Sequence, residues 1–266
     1  MTKAARLFAA LLLACAATLH AHEGLHEQIA AMTKRIAAEP RNASLYLQRG
    51  ELHRLHHEWK LAEADYEKAA RLDASLDLVH FARGRMLLES GHAAAALRSL
   101  DRFLAAHPEH SDAHLTRARA LAQLGRDAAA DYDAAIAHAA HPSPDLYAER
   151  ARTLASRGRT DDALRGLDQA LASLGPIASL QLQAIDLELQ AKRYDAALAR
   201  LDTLTPPSPL HLARRGDILL QAGRTAEAQA VYRNALVAIA AMPERQRNMQ
   251  STKEVVARLE AAVGKQ

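Results

Sequence analysis

The sequence predicts an all-helical protein built from stacked pairs of helices, and two regularities lead to this prediction. An arginine followed by a small residue recurs five times, and the first four small residues lie 34, 34 and 33 positions apart. An alanine also recurs twelve positions after the small residue. A period near 34 residues with two helical segments per period is typical of helical repeat arrays. The small residues are Gly50, Gly84, Ala118, Ala151 and Gly216, and the alanines are Ala62, Ala96, Ala163 and Ala228.

The composition agrees with a helical fold. Hydrophobic residues make up 49% of the 266-residue chain, but aromatic residues make up only 4%. A core built mainly from alanine and leucine favours closely packed helices. No sustained alternation of β-branched residues predicts a strand.

The first 21 residues are predicted to be a signal peptide rather than part of the fold. Lys3 and Arg6 give this segment a basic start, and residues 7–19 are apolar but too short to cross a bilayer comfortably. The sequence that ends at Ala21 is a suitable cleavage site, so the mature chain would begin at His22. This pattern predicts an exported bacterial protein, which we expect in the periplasm.

Cys15 offers a second interpretation of the same segment. The sequence Leu-Leu-Ala-Cys that ends at Cys15 resembles a bacterial lipobox, although Leu13 departs from the small residue usual there. In that interpretation Cys15 is acylated and the protein is an outer-membrane lipoprotein, with the lipid as its only contact with the membrane. Cys15 is also the only cysteine, so cleavage after Ala21 leaves a mature protein without disulfides.

The charge balance argues against a nucleic-acid partner. The whole chain carries 34 Lys and Arg against 31 Asp and Glu, which is a formal net charge of +3. Two of the basic residues, Lys3 and Arg6, belong to the predicted signal peptide, so the mature chain has a net charge of only +1. A nearly neutral chain of this kind lacks the basic excess expected of a nucleic-acid-binding protein.

The repeated units resemble tetratricopeptide repeats (TPRs). That family has a bulky residue at position 4 of each unit, small residues at positions 8, 20 and 27, and an aromatic or large residue at position 24. The first unit matches these positions with Tyr46, Gly50, Ala62, Tyr66 and Ala69. Six units follow one another, at residues 43–76, 77–110, 111–143, 144–177, 178–208 and 209–242.

The resemblance implies a right-handed superhelical solenoid of about six helix-turn-helix repeats. No repeat can bury its apolar face alone, so neighbouring repeats must stack. An extra helix is expected at each end, one within residues 22–42, which also hold a linker, and one within residues 243–266. We expect these two helices over Leu25–Ala38 and Asn248–Val263, where each covers an open end of the stack.

Glycines are expected to end the first helix of several repeats. A left-handed residue is needed after the helix, and glycine adopts this conformation because it has no Cβ atom. The fifth repeat departs from the pattern, since Lys192 takes the place of this glycine and Ala184-Ile185 replaces the arginine and small residue. The glycines are Gly91, Gly125, Gly158 and Gly223.

The repeated arginine is predicted to tie the two helices of a repeat together. In the first and third repeats an aspartate precedes the aromatic residue of the second helix, which pairs Arg49 with Asp65 and Arg117 with Asp131. We expect these pairs to be structural. The second, fourth and fifth repeats carry Asp101, Asp168 and Asp202 nearby.

The resemblance also implies where a partner binds. In TPR proteins, positions 2, 5, 9, 12 and 13 of the first helix line a concave groove. Position 9 carries three arginines in consecutive repeats, and such a row of guanidinium groups suits the carboxylates of an acidic peptide. The position-9 residues are Glu51, Arg85, Arg119, Arg152, Asp186 and Asp217, and the apolar position-5 residues are Phe81, Leu115 and Leu182.

These observations predict a non-catalytic scaffold of the cell envelope that binds a protein or peptide and needs no cofactor. The arginines have an alternative role, because exposed basic residues are often only solubilising. In that case they are solvated or paired with the acidic residues near them. Those residues are Asp112, Asp145 and Glu149.

Histidines suggest two other functions. His22, His26, His53 and His56 are candidates for binding a metal ion such as copper, since imidazole is a general ligand for transition metals. Residues 22–26 also match the HExxH pattern of zinc peptidases, but the match contains a glycine and precedes repeats rather than a protease fold.

Overall fold

A computed structural model describes residues 24–204 and 208–264, and this part of the chain contains helices and no strands. The predicted signal peptide, with Cys15 and His22, lies outside the described residues. Among the described helices, none is long and apolar enough to cross a membrane. The helices are α1 (residues 24–38), α2 (Ala43–Leu55), α3 (Trp59–Leu72), α4 (Leu78–Glu89), α5 (Ala93–Ala106), α6 (Ser111–Gln123), α7 (Ala129–His138), α8 (Pro144–Ser156), α9 (Thr160–Leu174), α10 (Ala178–Gln190), α11 (Tyr194–Asp202), α12 (Pro209–Gln221), α13 (Thr225–Ala240), α14 (Glu244–Arg247) and α15 (Gln250–Val263).

The chain divides into two compact units. The first unit ends at Ala140 and contains α1 to α7, and the second begins at His141 and contains α8 to α15. In the first unit α2 packs against α3, α4 against α5, and α6 against α7. In the second unit α8 packs against α9, α10 against α11, and α12 against α13. The six pairs confirm the predicted architecture of helix-turn-helix repeats.

The first helices of successive pairs are also neighbours. In the first unit α4 contacts both α2 and α6, and in the second unit α10 contacts α8. A second helix contacts the first helix of the next pair, as α3 does with α4 and α11 with α12. Each unit therefore has adjacent first helices along one side, as expected of stacked repeats.

Small residues at position 8 allow the two helices of a repeat to touch. A Cβ atom built on Gly50 lies 2.6 Å from Cε1 of Tyr66, and one built on Gly84 lies 2.7 Å from Cγ of Leu100. Both distances are far below van der Waals contact, so even a methyl group does not fit without movement of the facing side chain. Ala96, on the second helix of the second pair, is fully buried. The arginine-small pattern thus marks the closest approach of two helices.

The turn after most first helices contains a left-handed residue. The four predicted glycines have φ values between 66° and 84°, which confirms their role. In the first and fifth pairs His57 and Lys192 adopt the same conformation, with φ values of 59° and 58°. The fifth repeat keeps the turn without glycine because the helices on either side hold the chain there, at the cost of local strain.

An additional helix lies next to the repeats in each unit. α1 spans residues 24–38, and α15 spans Gln250–Val263 and packs against α13. Leu259 of α15 is fully buried. This helix begins after the expected Asn248, because Met249 is extended and separates it from the short helix α14.

Candidate partner-binding surface

The repeated arginine ties helices together in the first and third repeats, as predicted. Arg49 donates two hydrogen bonds to Asp65, from Nε to Oδ2 at 2.8 Å and from Nη2 to Oδ1 at 2.7 Å. Arg117 donates from Nη2 to Oδ1 of Asp131 at 2.7 Å. These hydrogen bonds raise the pKa of both arginines, and both aspartates are buried. The two arginines therefore belong to the scaffold.

In the second repeat the ion pairs of Arg83 and Asp101 link neighbouring repeats, and they do not link the two helices of one repeat. Asp101, which the sequence places near Arg83, accepts a hydrogen bond from Nη1 of Arg117 at 2.8 Å. Arg83 pairs with Glu63 of the preceding repeat. The reason is geometric, because a second helix packs against the next first helix as well as its own. Two further links between repeats join Asp168 to Arg200 and Asp202 to Arg215.

In the first unit the predicted binding residues lie along α2, α4 and α6, which we call the first-helix wall of that unit. Phe81 is half-buried and stacks on Phe103 with 5.3 Å between ring centroids. The Arg85 guanidinium lies 5.5 Å from the centroid of the Phe81 ring, and 37% of its side chain is exposed. One repeat further, Arg119 is exposed and Leu115 is half-buried. This surface combines cations with apolar contact area, which is the combination predicted to bind an acidic segment.

Glu51, at position 9 of the first repeat, is surrounded by hydrogen-bond donors. Tyr66 donates from Oη to Oε1 of Glu51 at 2.6 Å, Nη2 of Arg54 lies 3.1 Å from Oε2, and Nη1 of Arg85 lies 3.6 Å from Oε2. The buried Arg54 also donates to both carboxylate oxygens of Glu89 at 2.7 Å. Burial and then the hydrogen bond to Glu51 raise the pKa of Tyr66 well above its ordinary value, so the phenol stays protonated. The charge of Glu51 is therefore compensated within the unit.

In the second unit the corresponding wall consists of α8, α10 and α12. Arg152 on α8 is exposed. Asp186 on α10 lies 2.5 Å from Nη2 of Arg214, so this carboxylate already has a cation. Leu182, at position 5 of α10, is half-buried against the hydrophobic core of the unit. Of these residues, Arg152 is the one placed to meet a partner's carboxylate.

Asp217 on α12 joins the last repeat to the terminal helix. Tyr232 donates from Oη to Oδ1 of Asp217 at 2.8 Å, and Arg258 of α15 pairs with the same carboxylate. Burial and then the hydrogen bond to Asp217 raise the pKa of Tyr232 to about 12. The pairing with Asp217 is the largest cause that raises the pKa of Arg258. Asp217 therefore stabilises the packing of α15.

The sequence does not identify Arg54 or the two tyrosine hydroxyls as part of the wall. A detectable signal exists nonetheless, because an acidic residue stands fifteen positions before the position-24 tyrosine in both the first and the sixth repeat. These pairs are Glu51 with Tyr66 and Asp217 with Tyr232.

The candidate metal ligands have other neighbours. The rings of His26 and His56 meet edge to face with 4.4 Å between centroids, and Nδ1 of His53 lies 2.6 Å from Oε2 of Glu58. This contact is the largest cause that lowers the pKa of Glu58. Over residues 24–204 and 208–264, no group of three or more His, Cys, Asp or Glu could hold a metal ion. The remaining candidate, His22, lies outside these ranges.

Two family models match the chain. One, described as "Tetratricopeptide repeat", matches residues 81–145, and the other, described as "Tetratricopeptide repeat-like domain", matches residues 150–254. The chain is a tetratricopeptide repeat protein. No curated protein sequence matches this TPR protein.

Solved structures share the fold of this TPR protein at low sequence identity. A TPR protein from Parabacteroides merdae has a TM-score of 0.54 and 19% identity, covering 94% of this chain and 97% of that one. PilW, described as a type IV pilus biogenesis factor, has a TM-score of 0.50 and 16% identity, covering 80% of this chain and 98% of that one. A chain of the Cut9–Hcn1 hetero-tetramer of the APC/C gives a match with a TM-score of 0.51 and 14% identity, covering 91% of this chain and 48% of that one.

These likenesses concern the fold. TPR proteins generally act as scaffolds for protein interactions and are generally non-catalytic, so the fold supports a protein-binding role for this chain.

Proposed function

We propose that this TPR protein is a non-catalytic scaffold of the bacterial cell envelope that binds an acidic segment of a protein partner. The observation that supports the proposal most directly is the arrangement of Arg85 over Phe81 on the first-helix wall, half-exposed beside an apolar ring. A carboxylate that approaches this wall gains a charge-assisted hydrogen bond while its neighbours cover apolar surface.

The ion pairs distinguish the arginines that stabilise the fold from the arginines that a partner could contact on the first-helix walls. Arg49 and Arg117 donate hydrogen bonds to buried aspartates, so their positive charges are already neutralised within the fold. Arg152 is exposed and has no ion pair with another described residue, whereas Arg119 is exposed but also interacts with another residue of the chain. A partner's carboxylate would therefore meet Arg152 in the second unit, and in the first unit it would meet the exposed guanidinium of Arg119 in addition to the group that this arginine already contacts.

The comparisons contribute the general role. Cut9 was crystallised in a complex with Hcn1, and PilW is described as a pilus biogenesis factor. We carry over to this chain only the idea that such a fold binds other proteins.

The envelope location rests on residues 1–21, which have a basic start, an apolar stretch and a cleavage site. The mass of the N-terminal fragment of the mature protein tests it. A fragment that begins at His22 supports a periplasmic protein, and a fragment that begins with an acylated Cys15 supports an outer-membrane lipoprotein. A fragment that retains residues 1–14 contradicts export by either route.

Partner recovery tests the role of the wall. We expect Arg85→Glu, Arg119→Glu and Arg152→Glu together to reduce recovery of partners from envelope extracts by about tenfold or more, because attraction becomes repulsion. The matched control is Arg98→Glu, Arg126→Glu and Arg233→Glu, which changes the net charge equally at exposed arginines outside the wall. Equal recovery by wild type and the wall variant would contradict the proposal.

A further inference from the structure

An open groove of about 560 Å³ lies between α1 and α2 in the first unit. It is lined by one face of each helix and mixes apolar with polar side chains. The lining residues are Gln28, Ala31, Met32 and Arg35 on α1, and Leu47, Gln48, Glu51 and Leu52 on α2.

The α1 side of this groove has a counterpart one repeat later. The residues 34 positions further on are the four buried residues of α3, namely Ala62, Asp65, Tyr66 and Ala69. In α3 this face packs against its own first helix, since the Tyr66 ring lies directly over Gly50 of α2. The groove is therefore the place that a first helix would take against α1. Within the described residues no helix fills it.

One substitution gives the groove a positive charge, and another adds a polar group. Gln28 and Arg35 stand where α3 has Ala62 and Ala69, and both are exposed. Among the described residues, no hydrogen bond or ion pair engages the side chain of Arg35. Glu51 across the groove is already compensated by Tyr66 and arginines of its own unit. A helix that packs here must bring a carboxylate for Arg35, because burying an unpaired cation is costly.

The chain's own leader does not supply this group. Residues 9–21 precede α2 by 34 positions, so they would be the first helix in the register of the repeats. Residues 1–22 contain no Asp or Glu, and the predicted cleavage after Ala21 removes them. The charge of the groove thus favours a helix from another protein.

We propose that this groove binds an amphipathic α-helix of a partner protein, with an apolar stripe against Met32, Leu47 and Leu52 and a carboxylate opposite Arg35. The inference rests on the proposed function and specifies the partner segment as helical and acidic. Glu51 joins the groove to the first-helix wall, because its carboxylate lies 3.6 Å from Arg85.

A library of helix-forming peptides displayed on phage and selected on the chain of residues 22–266 tests the proposal. We expect enriched peptides to carry Leu, Ile or Met at i, i+3 or i+4, and i+7, with Asp or Glu beside this stripe. Arg35→Glu should weaken these peptides about tenfold and strengthen versions in which the acid is changed to Lys. Lys34→Glu, an exposed neighbour outside the groove, is the matched control and should change neither. Leu47→Lys should weaken both versions.

Several results would overturn the proposal. If selection enriches no peptides of this kind, the groove does not bind an amphipathic helix. If Arg35→Glu and Lys34→Glu weaken peptide binding equally, the carboxylate of the peptide does not pair with Arg35. A dimer seen by light scattering and removed by Arg35→Glu makes a second copy the occupant. A disulfide between Cys15 and a cysteine introduced at Gln48 in the uncleaved chain makes the leader the occupant.

The envelope recovery experiment separates this inference from the proposed function. Partner recovery that is lost in the wall variant but kept in Arg35→Glu leaves the scaffold proposal standing and rejects the helix groove. Failure to recover any partner with the wild-type chain counts against the proposed function itself.

Discussion

The two units contain the same tyrosine-to-acid hydrogen bond but take the compensating cation from different places. In the first unit Glu51 binds Arg54 of its own helix as well as its tyrosine. In the second unit Asp217 binds its tyrosine and Arg258 of the terminal helix α15. The acid at this repeat position is therefore compensated by arginines of the repeats themselves in one unit, and it stabilises an added helix in the other. What stacks beside a repeat decides the role of its position-9 acid.

The largest expected effect tests whether the two cores are equivalent. Ala96 and Ala228 occupy position 20 in the first and second unit, and both are fully buried. Ala96→Glu and Ala228→Glu should each destabilise by about 4 kcal/mol, because each overpacks a helix contact and buries an unpaired charge. Hydrogen exchange should show loss of protection in the altered unit. Val237→Glu, at a side chain that is 73% exposed, is the control, and a wild-type melt for either alanine variant would contradict the packing.

A smaller effect should distinguish the two acids. Asp217→Asn should cost about 2 kcal/mol and speed hydrogen exchange in α15, because it weakens the hydrogen bonds from Tyr232 and Arg258. Glu51→Gln should cost less, since Arg54 keeps its two bonds to Glu89. If Asp217→Asn leaves the hydrogen-exchange rates of α15 unchanged, Asp217 does not stabilise the packing of this helix.

Alkaline pH should weaken the second unit through Tyr232. Its folded pKa is about 12 and its ordinary value is 10.0, so the folded state holds the proton more tightly than the unfolded state. The resulting stability is complete below pH 10 and is lost as the pH rises from about 10 to 12. This difference in pKa sets an upper bound of about 2.7 kcal/mol, which solvent screening at this partly solvated hydroxyl reduces to about 1 kcal/mol. Thermal melts of wild type and Tyr232→Phe over this range measure it. Parallel curves for the two proteins would show that the tyrosine does not carry the effect.

The smallest expected effect concerns the left-handed turns. Lys192→Gly should stabilise the second unit by about 0.5–1 kcal/mol, because glycine adopts φ 58° without strain. His57→Gly in the first unit should gain less, since the His57 ring packs against Trp59 with 4.9 Å between centroids. Gly158→Ala, the reverse change at a glycine with φ 75°, should destabilise. Denaturant midpoints check all three, and a lower midpoint for Lys192→Gly would contradict the strain.

Much of the fold follows from residues that lie within one repeat of each other. The spacing of Gly50 and Ala62 predicts the helix contact, the glycines predict the left-handed turns, and Asp65 is correctly assigned to Arg49. These features depend on the local period of the chain, which the sequence displays directly. The partner of Asp101 cannot be predicted from this local period, because Arg83 and Arg117 stand at different sequence distances from Asp101 and either could pair with it.

The sequence by itself determined the period, the number of helix pairs, the small residues at their contacts and the arginines available for a wall. Only the tertiary structure decided that Glu51 and Asp217 are compensated within their units, that Asp101 links two repeats, and that a groove stands open between α1 and α2. The physical reason is that packing within a repeat is set by residues at short, repeated spacings. Charge pairing depends instead on which side chains the stacking of neighbouring helices brings within hydrogen-bond distance.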